Sequence, residues 1–98
     1  VTTLFSDNAG YSGGDITLSQ AYTNFKALCI VSGGDSQSHD VKTTIVSVWE
    51  LQQRKAKGTK SFALFEGRIY WYLEPTSTTT QLVEYNENGR IYAIYGIN

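Results

Sequence analysis

The chain has 98 residues, with 8 Lys and Arg against 9 Asp and Glu and a formal net charge of -1 at pH 7. This length is enough for one modest hydrophobic core, so we expect a single domain over residues 1–98. With 41% hydrophobic and 13% aromatic residues, the composition excludes intrinsic disorder. The near-zero charge gives no electrostatic reason for binding nucleic acid or an acidic membrane, and we expect neither partner.

The cysteine and histidine counts exclude further classes of protein. One Cys and one His supply neither an internal disulfide nor a zinc site of the usual kinds, and we expect no metal and no cofactor. No apolar run approaches the roughly 18 residues of a membrane-spanning helix, so we expect no membrane insertion. The sequence contains no Met and begins at Val1. We therefore interpret it as an excised or processed piece of a longer chain.

The first third of the chain predicts three strands. Thr2–Ser6 is a short strand, and the turn-rich segment Asp7–Gly14 predicts a loop. Asp15–Ser19 alternates in hydrophobicity, which is typical of a half-buried strand. Asn24–Ser32 is apolar on both faces, which favours a place in the middle of a sheet. Cys29 alternates there with other apolar residues, so we expect a small buried side chain rather than a reactive thiol.

The middle of the chain predicts a loop, a strand and a second loop. Gly33–Asp40 is polar and rich in Gly and Ser, as flexible loops are. Lys42–Trp49 is a β-branched segment and predicts a strand. Glu50–Lys57 contains helix-forming residues but only one large apolar anchor, Leu51. We interpret it as the end of a strand followed by a solvated loop.

The rest of the sequence predicts a meander of short strands. Glu66-Gly67 and Asn88-Gly89 each separate two alternating segments, and such short Gly-containing connections are typical of hairpins. The expected fold is all-β, an antiparallel β-sandwich or jelly-roll-like domain of about eight strands. The meander strands are Thr59–Phe65, Arg68–Glu74, Thr80–Tyr85 and Arg90–Ile97.

Few residues could support catalysis. Nucleophilic catalysis needs a base within reach of a Ser or Cys, and His39 is the single histidine. Asp35 and Asp40 could form an acid–base set with it, but all three lie in a loop whose composition is that of ordinary surface. The glutamates lie near strand ends and turns, as solvated edge charges do. We therefore predict that the protein is not an enzyme.

The aromatic residues carry more information. In Arg68–Glu74 and Arg90–Ile97, large apolar side chains occupy both faces of the strand, more than one small sandwich can bury. One explanation is an oligomer interface. Another is a ligand surface on which Tyr and Trp stack against sugar rings. A third is that these rings belong to the core.

Both ends of the sequence resemble a known family. The segment TTLFSDNAGYSGGDITLSQAYTNFKALCIV and the ending GRIYAIYGIN resemble the C-terminal β-sandwich of bacteriophage tail-fibre and tail-spike proteins. The resemblance covers about the first 31 and the last ten residues. It rests on a Leu-aromatic strand, an ITLS strand, an NF pair before an apolar strand, and the closing Arg-Ile strand.

The resemblance implies a homotrimeric receptor-binding domain in the tail of a virion. Such domains assemble in the cytoplasm of the bacterial host and act at the host cell surface, where they attach to polysaccharide, lipopolysaccharide or protein. Three weak sites on one rigid tip then act together through their effective concentration. The family has no shared catalytic residues to carry over.

Two alternatives remain open at this point: a monomeric carbohydrate-binding module, and a purely structural trimerisation or assembly domain. If a receptor is bound, loops on the β scaffold and exposed aromatic rings are the expected contacts. The candidate ligand-binding residues are Asp35, His39, Trp49, Tyr70, Tyr72 and Tyr92.

Overall fold

The fold is predominantly β, as the sequence predicts, although the described residues also form one α-helix. The computed structural model describes residues 1–11, 14–33, 41–57, 61–65, 68–75, 81–86 and 90–98, with side chains over 1–10, 15–33, 41–54, 56–57 and 90–98. Within these residues the strands are accompanied by one α-helix and one 3-10 helix. No helix in the described part is both long and apolar enough to cross a membrane.

The strands of the described residues form two four-stranded sheets in which every pairing is antiparallel. Sheet A has the order β1-β8-β3-β4, and sheet B has the order β2-β7-β6-β5. β3 lies between two neighbours, as its two apolar faces predict. The strands are β1 (Thr2–Tyr11), β2 (Gly14–Thr17), β3 (Ala27–Gly33), β4 (Val41–Ser47), β5 (Ser61–Phe65), β6 (Arg68–Pro75), β7 (Gln81–Asn86) and β8 (Arg90–Ile97).

The core lies on one side of sheet A. Because successive side chains of a strand point to opposite faces, Leu28 and Ile30 of β3 point inward together and are fully buried, as is Ile94 of β8. Ile16 of β2 belongs to the same cluster of buried side chains, so both sheets contribute to one core. Leu18, directly after β2, extends it.

A close ring contact holds one end of sheet A. The 3-10 helix Tyr22–Asn24 leads into Phe25, which is buried in the core. A Cβ atom at Gly96 would lie 2.6 Å from the Phe25 ring, so only glycine fits there. The backbone N–H of Lys26 donates to the carbonyl of Ile97 at 3.0 Å. The start of β3 is therefore fastened to the end of β8.

The prediction for Glu50–Lys57 was wrong, because Val48–Lys57 forms an α-helix, α1, directly after β4. Its start is capped: the backbone N–H of Glu50 donates to the Oγ of Ser47 at 2.9 Å. Val48 and Leu51 are buried three positions apart and anchor one face of the helix. The predicted strand Lys42–Trp49 accordingly ends at Ser47.

The hairpin predicted at Asn88-Gly89 was also wrong, because the strands on either side of it do not pair with each other. β7 belongs to sheet B, where it pairs with β2 and β6. β8 belongs to sheet A, where it pairs with β1 and β3. The chain therefore changes sheets between these two strands, and long-range pairing prevails over the local turn signal.

The alternation expected along β8 is interrupted. Val31 pairs with Ala93, but the next residue of β3, Ser32, pairs with Ile91, so Tyr92 is an extra residue on β8. A bulge of this kind shifts the phase of the strand by one residue. Ile91 and Ile94 consequently both reach the core, although strict alternation places them on opposite faces.

Candidate functional site

The side of sheet A that faces away from the core forms a continuous surface. Its position follows from the buried inner residues, since directly paired residues and every second residue of a strand share one face. We call this surface the outer face of sheet A. Its residues are Thr3 and Ser6 of β1, Ala27, Cys29, Val31 and Gly33 of β3, Val41, Thr43, Ile45 and Ser47 of β4, and Arg90, Ala93, Tyr95 and Ile97 of β8.

Large apolar side chains on this face meet water. Val41 and Ile45 are each 67% exposed. Register places Ile45 opposite Cys29, and Cys29 opposite Tyr95, so these three form one row across β4, β3 and β8. Cys29 and Tyr95 are half-buried. A contiguous apolar patch of this kind on a small domain is typical of a contact surface.

Of the outer-face residues, Arg90 alone is charged, and its guanidinium donates to the Gly10 carbonyl. The charged residue of β4, Lys42, pairs with the buried Ser32 and therefore belongs to the alternate set of positions. Hydroxyl groups of Thr3, Thr43 and Ser47 lie on the edge strands β1 and β4. The face therefore mixes apolar and hydroxyl side chains, with the exposed Val41 and Ile45 on the edge strand β4 and one charged residue, Arg90, at the start of β8.

Cys29 lies on this face and is half-buried rather than fully buried. Phe25, four residues earlier, precedes β3 and turns into the core instead. Ala27 and Val31 accompany Cys29 on the outer face and are likewise half-buried. The thiol is thus close to the surface of the domain.

Trp49, a predicted ligand-binding residue, is 70% exposed near the start of α1. Its neighbours Val48 and Leu51 point into the core, so the opposite side of the helix faces water. Glu50 and Arg54 form an ion pair at 3.0 Å one turn apart. An exposed indole ring on a capped, anchored helix offers a flat apolar surface for stacking.

Tyr92, another predicted ligand-binding residue, is half-buried at the bulge of β8. It lies against Gly10, where a Cβ atom would be 2.9 Å from the ring. Gly10 has a positive φ of 86° and accepts a hydrogen bond from the Arg90 guanidinium at 3.1 Å. The expected loop Asp7–Gly14 is in part a continuation of β1, which runs to Tyr11 with a register shift after Ser6. Tyr92 therefore packs against an irregular strand edge.

The other predicted contacts are described less fully. Asp35 and His39 lie outside the described residues. Tyr70 and Tyr72 lie in β6, and only their backbone is described. Of the six predicted residues, the structure therefore gives a side-chain environment to Trp49 and Tyr92, on two different elements.

The described residues offer a surface and not a cleft. They contain no pocket and no group of three or more His, Cys, Asp or Glu side chains that could hold a metal ion. The pKa of Tyr22 is raised above its ordinary 10.0 because burial disfavours the phenolate. The Tyr22 ring belongs to the core cluster, and it is part of neither the outer face of sheet A nor the exposed side of α1.

Sequence reasoning missed Val41 and Ile45. They lie four positions apart in β4, and the alternate positions hold Lys42, Thr44 and Val46. The side with Val41 and Ile45 is the more apolar of the two, so the sequence pattern favours the wrong side as the one that meets the core. Pairing with β3 decides the question, because Val46 pairs with the buried Leu28.

No protein-family model, curated protein or solved structure matches the chain.

Proposed function

We propose that this protein is the receptor-binding and trimerising C-terminal domain of a bacteriophage tail fibre or tail spike. The observation that carries the proposal is the outer face of sheet A, where Val41 and Ile45 are each 67% exposed. A single copy leaves this apolar face in water, whereas a fibre places further copies against it. The resemblance of both chain ends to tail-fibre domains supports the same assignment.

The proposed architecture is a jelly-roll-like sandwich of eight strands. Its support is the nested pairing of β1 with β8 and of β2 with β7, in two different sheets. Jelly rolls wrap the two ends of the chain around each other in this manner. The shared core of Ile16 from sheet B and Ile94 from sheet A supports packing of the sheets face to face.

The proposed activity is attachment to a receptor on the bacterial surface, a polysaccharide, a lipopolysaccharide or a protein. The domain acts in the virion tail after assembly in the host cytoplasm. Trp49 is the best placed of the described candidates, since its ring is 70% exposed on an anchored helix. Three such rings on one trimer bind a repetitive glycan through their high effective concentration, even where each contact is weak.

A second candidate function is a monomeric carbohydrate-binding module. The exposure of Trp49 favours it independently of any assembly, because a single indole ring is sufficient to stack on one sugar. In that case the outer face of sheet A plays no part in binding. The two functions therefore differ in their oligomeric state and not in the aromatic contact.

The experiment that tests the proposal measures mass and binding on one sample. Light scattering gives the oligomeric state, and a screen of bacterial polysaccharides and lipopolysaccharides, with adsorption to whole bacteria, gives binding. Trp49→Ala is compared with Thr17→Ala, a substitution at an exposed position of β2. We expect a trimer whose binding is lost in Trp49→Ala and kept in Thr17→Ala.

Three other outcomes contradict parts of the proposal. A monomer that binds glycan through Trp49 replaces it with the second candidate. A trimer that binds neither glycans nor cells identifies a purely structural trimerisation domain. Glycan binding that survives Trp49→Ala moves the receptor site away from α1.

A further inference from the structure

We infer that the exposed side of α1 binds an uncharged sugar chain, with one sugar ring stacked on Trp49 and its hydroxyl groups bonded to Gln52 and Gln53. This assignment rests on the proposed function and narrows its receptor to the neutral part of a bacterial surface glycan. Its support is the exposure of Trp49, the two amide groups one turn further along the helix, and the charges around them.

Helical spacing brings Gln52 and Gln53 to the same side of α1 as Trp49. Residues three and four positions apart are neighbours on a helix surface, with about 5–6 Å between their Cβ atoms. Ala56, seven positions after Trp49, continues the row by a further turn. Trp49, Gln52 and Ala56 are exposed, and Gln53 is half-buried. We call these four residues the Trp49 surface.

The Trp49 surface is fastened to the domain at its start. Val48 and Leu51 are buried on the other side of the helix, and the backbone N–H of Val48 donates to the carbonyl of Lys26 at 2.8 Å. The Oγ of Ser47 caps the same turn. A ring on a backbone that is already held in place loses little conformational freedom when a ligand binds.

Both amide groups of the Trp49 surface are accessible. Within the described residues, Gln52 and Gln53 make no side-chain hydrogen bond, and the one buried side-chain polar atom without a partner belongs to Thr44. The two amides therefore meet water. An amide donates and accepts hydrogen bonds, as the hydroxyl groups of a sugar do. Because helical side chains lean toward the N-terminus, both amides lean toward the turn that carries Trp49.

The polarity of the Trp49 surface favours a sugar over a protein partner. Trp49 is its single large apolar side chain, whereas protein interfaces have an apolar centre of several residues. A sugar ring has one face of C–H groups, which stacks on an indole ring, and a rim of hydroxyl groups. The amides of Gln52 and Gln53 lie where such a rim would be.

The charges around Trp49 favour a neutral sugar over an acidic one. Glu50 and Arg54 lie on one flank of the Trp49 surface and form an ion pair at 3.0 Å. Arg54 is thus already bound to a carboxylate of its own helix. The next described cation on this side of the helix is Lys57, more than two turns from Trp49. A carboxylated sugar on the ring would lie beside the Glu50 carboxylate, whose cation is engaged.

Binding of purified bacterial polysaccharides at two salt concentrations tests the inference. One set of probes is neutral, and the other set carries carboxylate or phosphate groups. We expect the wild type to bind members of the neutral set only. Its affinity should change by less than about twofold between about 50 mM and about 500 mM salt, because salt screens contacts between charges.

Five variants divide the contribution of the amides from that of charge. Gln52→Ala and Gln53→Ala should each weaken binding about tenfold, the effect of losing one or two hydrogen bonds. The matched control Gln20→Ala removes an exposed amide outside α1 and should bind as the wild type does. Lys26→Gln and Lys57→Gln remove exposed cations near the two ends of α1 and should also leave binding unchanged. Ala favours helices at least as well as Gln, so circular dichroism of the α1 variants should match the wild type.

The outcomes separate this inference from the proposed function. Binding confined to acidic polysaccharides, or lost in Lys26→Gln, overturns the inference and leaves the receptor function in place. Neutral binding that is lost in Trp49→Ala but unchanged in both glutamine variants overturns it too, because the amides then make no contact. A monomer with the expected pattern keeps the inference and removes the trimer. A wild type that binds cells but no polysaccharide overturns the inference alone, and one that binds neither overturns both.

Discussion

The two faces of sheet A have similar apolar content but different surroundings. On the inner face, Leu28, Ile30 and Ile94 are fully buried by the rest of the chain. On the outer face, Val41 and Ile45 are each 67% exposed. The buried set belongs to the central strands β3 and β8, and the exposed set belongs to the edge strand β4. An apolar strand face that the chain's own core does not cover is typical of a surface that contacts another molecule.

The difference has an energetic consequence. Removing apolar atoms from the inner face leaves a cavity and reduces the free energy of unfolding. Removing apolar atoms from the outer face of a single copy leaves no cavity, because water fills the space. The free energy of unfolding therefore changes little. Substitutions on the outer face are expected to weaken association between copies of the chain. Stability and association therefore report separately on the two faces.

The largest expected effect is that of Ile30→Ala, compared with Ile45→Ala. Ile30 is fully buried, and its truncation should lower the free energy of unfolding by about 2–5 kcal/mol. Ile45→Ala should change it by less than about 0.5 kcal/mol in the monomer. Urea unfolding at a concentration below the association range measures both. Equal losses at the two positions contradict the difference between the faces.

The next effect is that of Gly96→Ala, which probes the tightness of the inner face. The added Cβ atom would lie 2.6 Å from the Phe25 ring, and overpacking of this kind costs about 1–3 kcal/mol. Phe25→Leu in the same chain should recover part of the loss by removing the ring. Thermal unfolding of the two single variants and the double variant measures the coupling. Strictly additive losses would show that the ring contact is not the cause.

A smaller effect is expected at Ser47, an outer-face residue that also contributes to folding. Its Oγ accepts a hydrogen bond from the N–H of Glu50 at 2.9 Å and caps α1. Ser47→Ala should lower stability by about 1 kcal/mol, whereas Ser47→Asp keeps an acceptor and most of the stability. Thermal unfolding followed at helical wavelengths measures the loss. Equal stability of the two variants would mean that the cap contributes nothing.

The smallest effect concerns pH and Tyr22. Burial raises the pKa of Tyr22 in the folded state above its ordinary 10.0. The stability that this shift contributes is complete below pH 10 and declines as the pH rises through the folded-state pKa, because the unfolded chain ionises first. Tyr22→Phe should therefore lose less stability than the wild type between pH 9 and pH 11. Parallel declines of the melting temperature contradict this assignment.

Much of the β architecture could be predicted from periodicity, but the helix could not be predicted from the features considered. Strand positions follow from alternation, which depends only on local sequence. The apolar stripe of α1 is weak, so the alternation of Lys42–Trp49 predicted a strand that runs two residues past its end at Ser47. The informative signal was Ser47 followed three residues later by Glu50, the pattern of a capping box.

The pairing of β5 with β6 follows from the Glu66-Gly67 hairpin signal. The pairing of more distant strands and the face assignment could not be predicted, because they depend on contacts between distant parts of the chain. Asn88-Gly89 favours a local hairpin, but β8 instead gains two partners, β1 and β3, in sheet A. The bulge at Tyr92 shifts which residues of β8 face the core, and no residue type marks it in advance. Trp49 is exposed as a ligand contact requires, whereas Tyr92 packs against Gly10.

The measurement that tests the central claim most directly is the alkylation rate of Cys29 as a function of protein concentration. Cys29 is the only cysteine of the chain, and it lies in the central row of the outer face. If a neighbouring copy covers this face, the rate should fall as the concentration rises through the association range, and Ile45→Lys should keep the fast rate throughout. A rate that is independent of concentration in a wild type that associates would contradict the account.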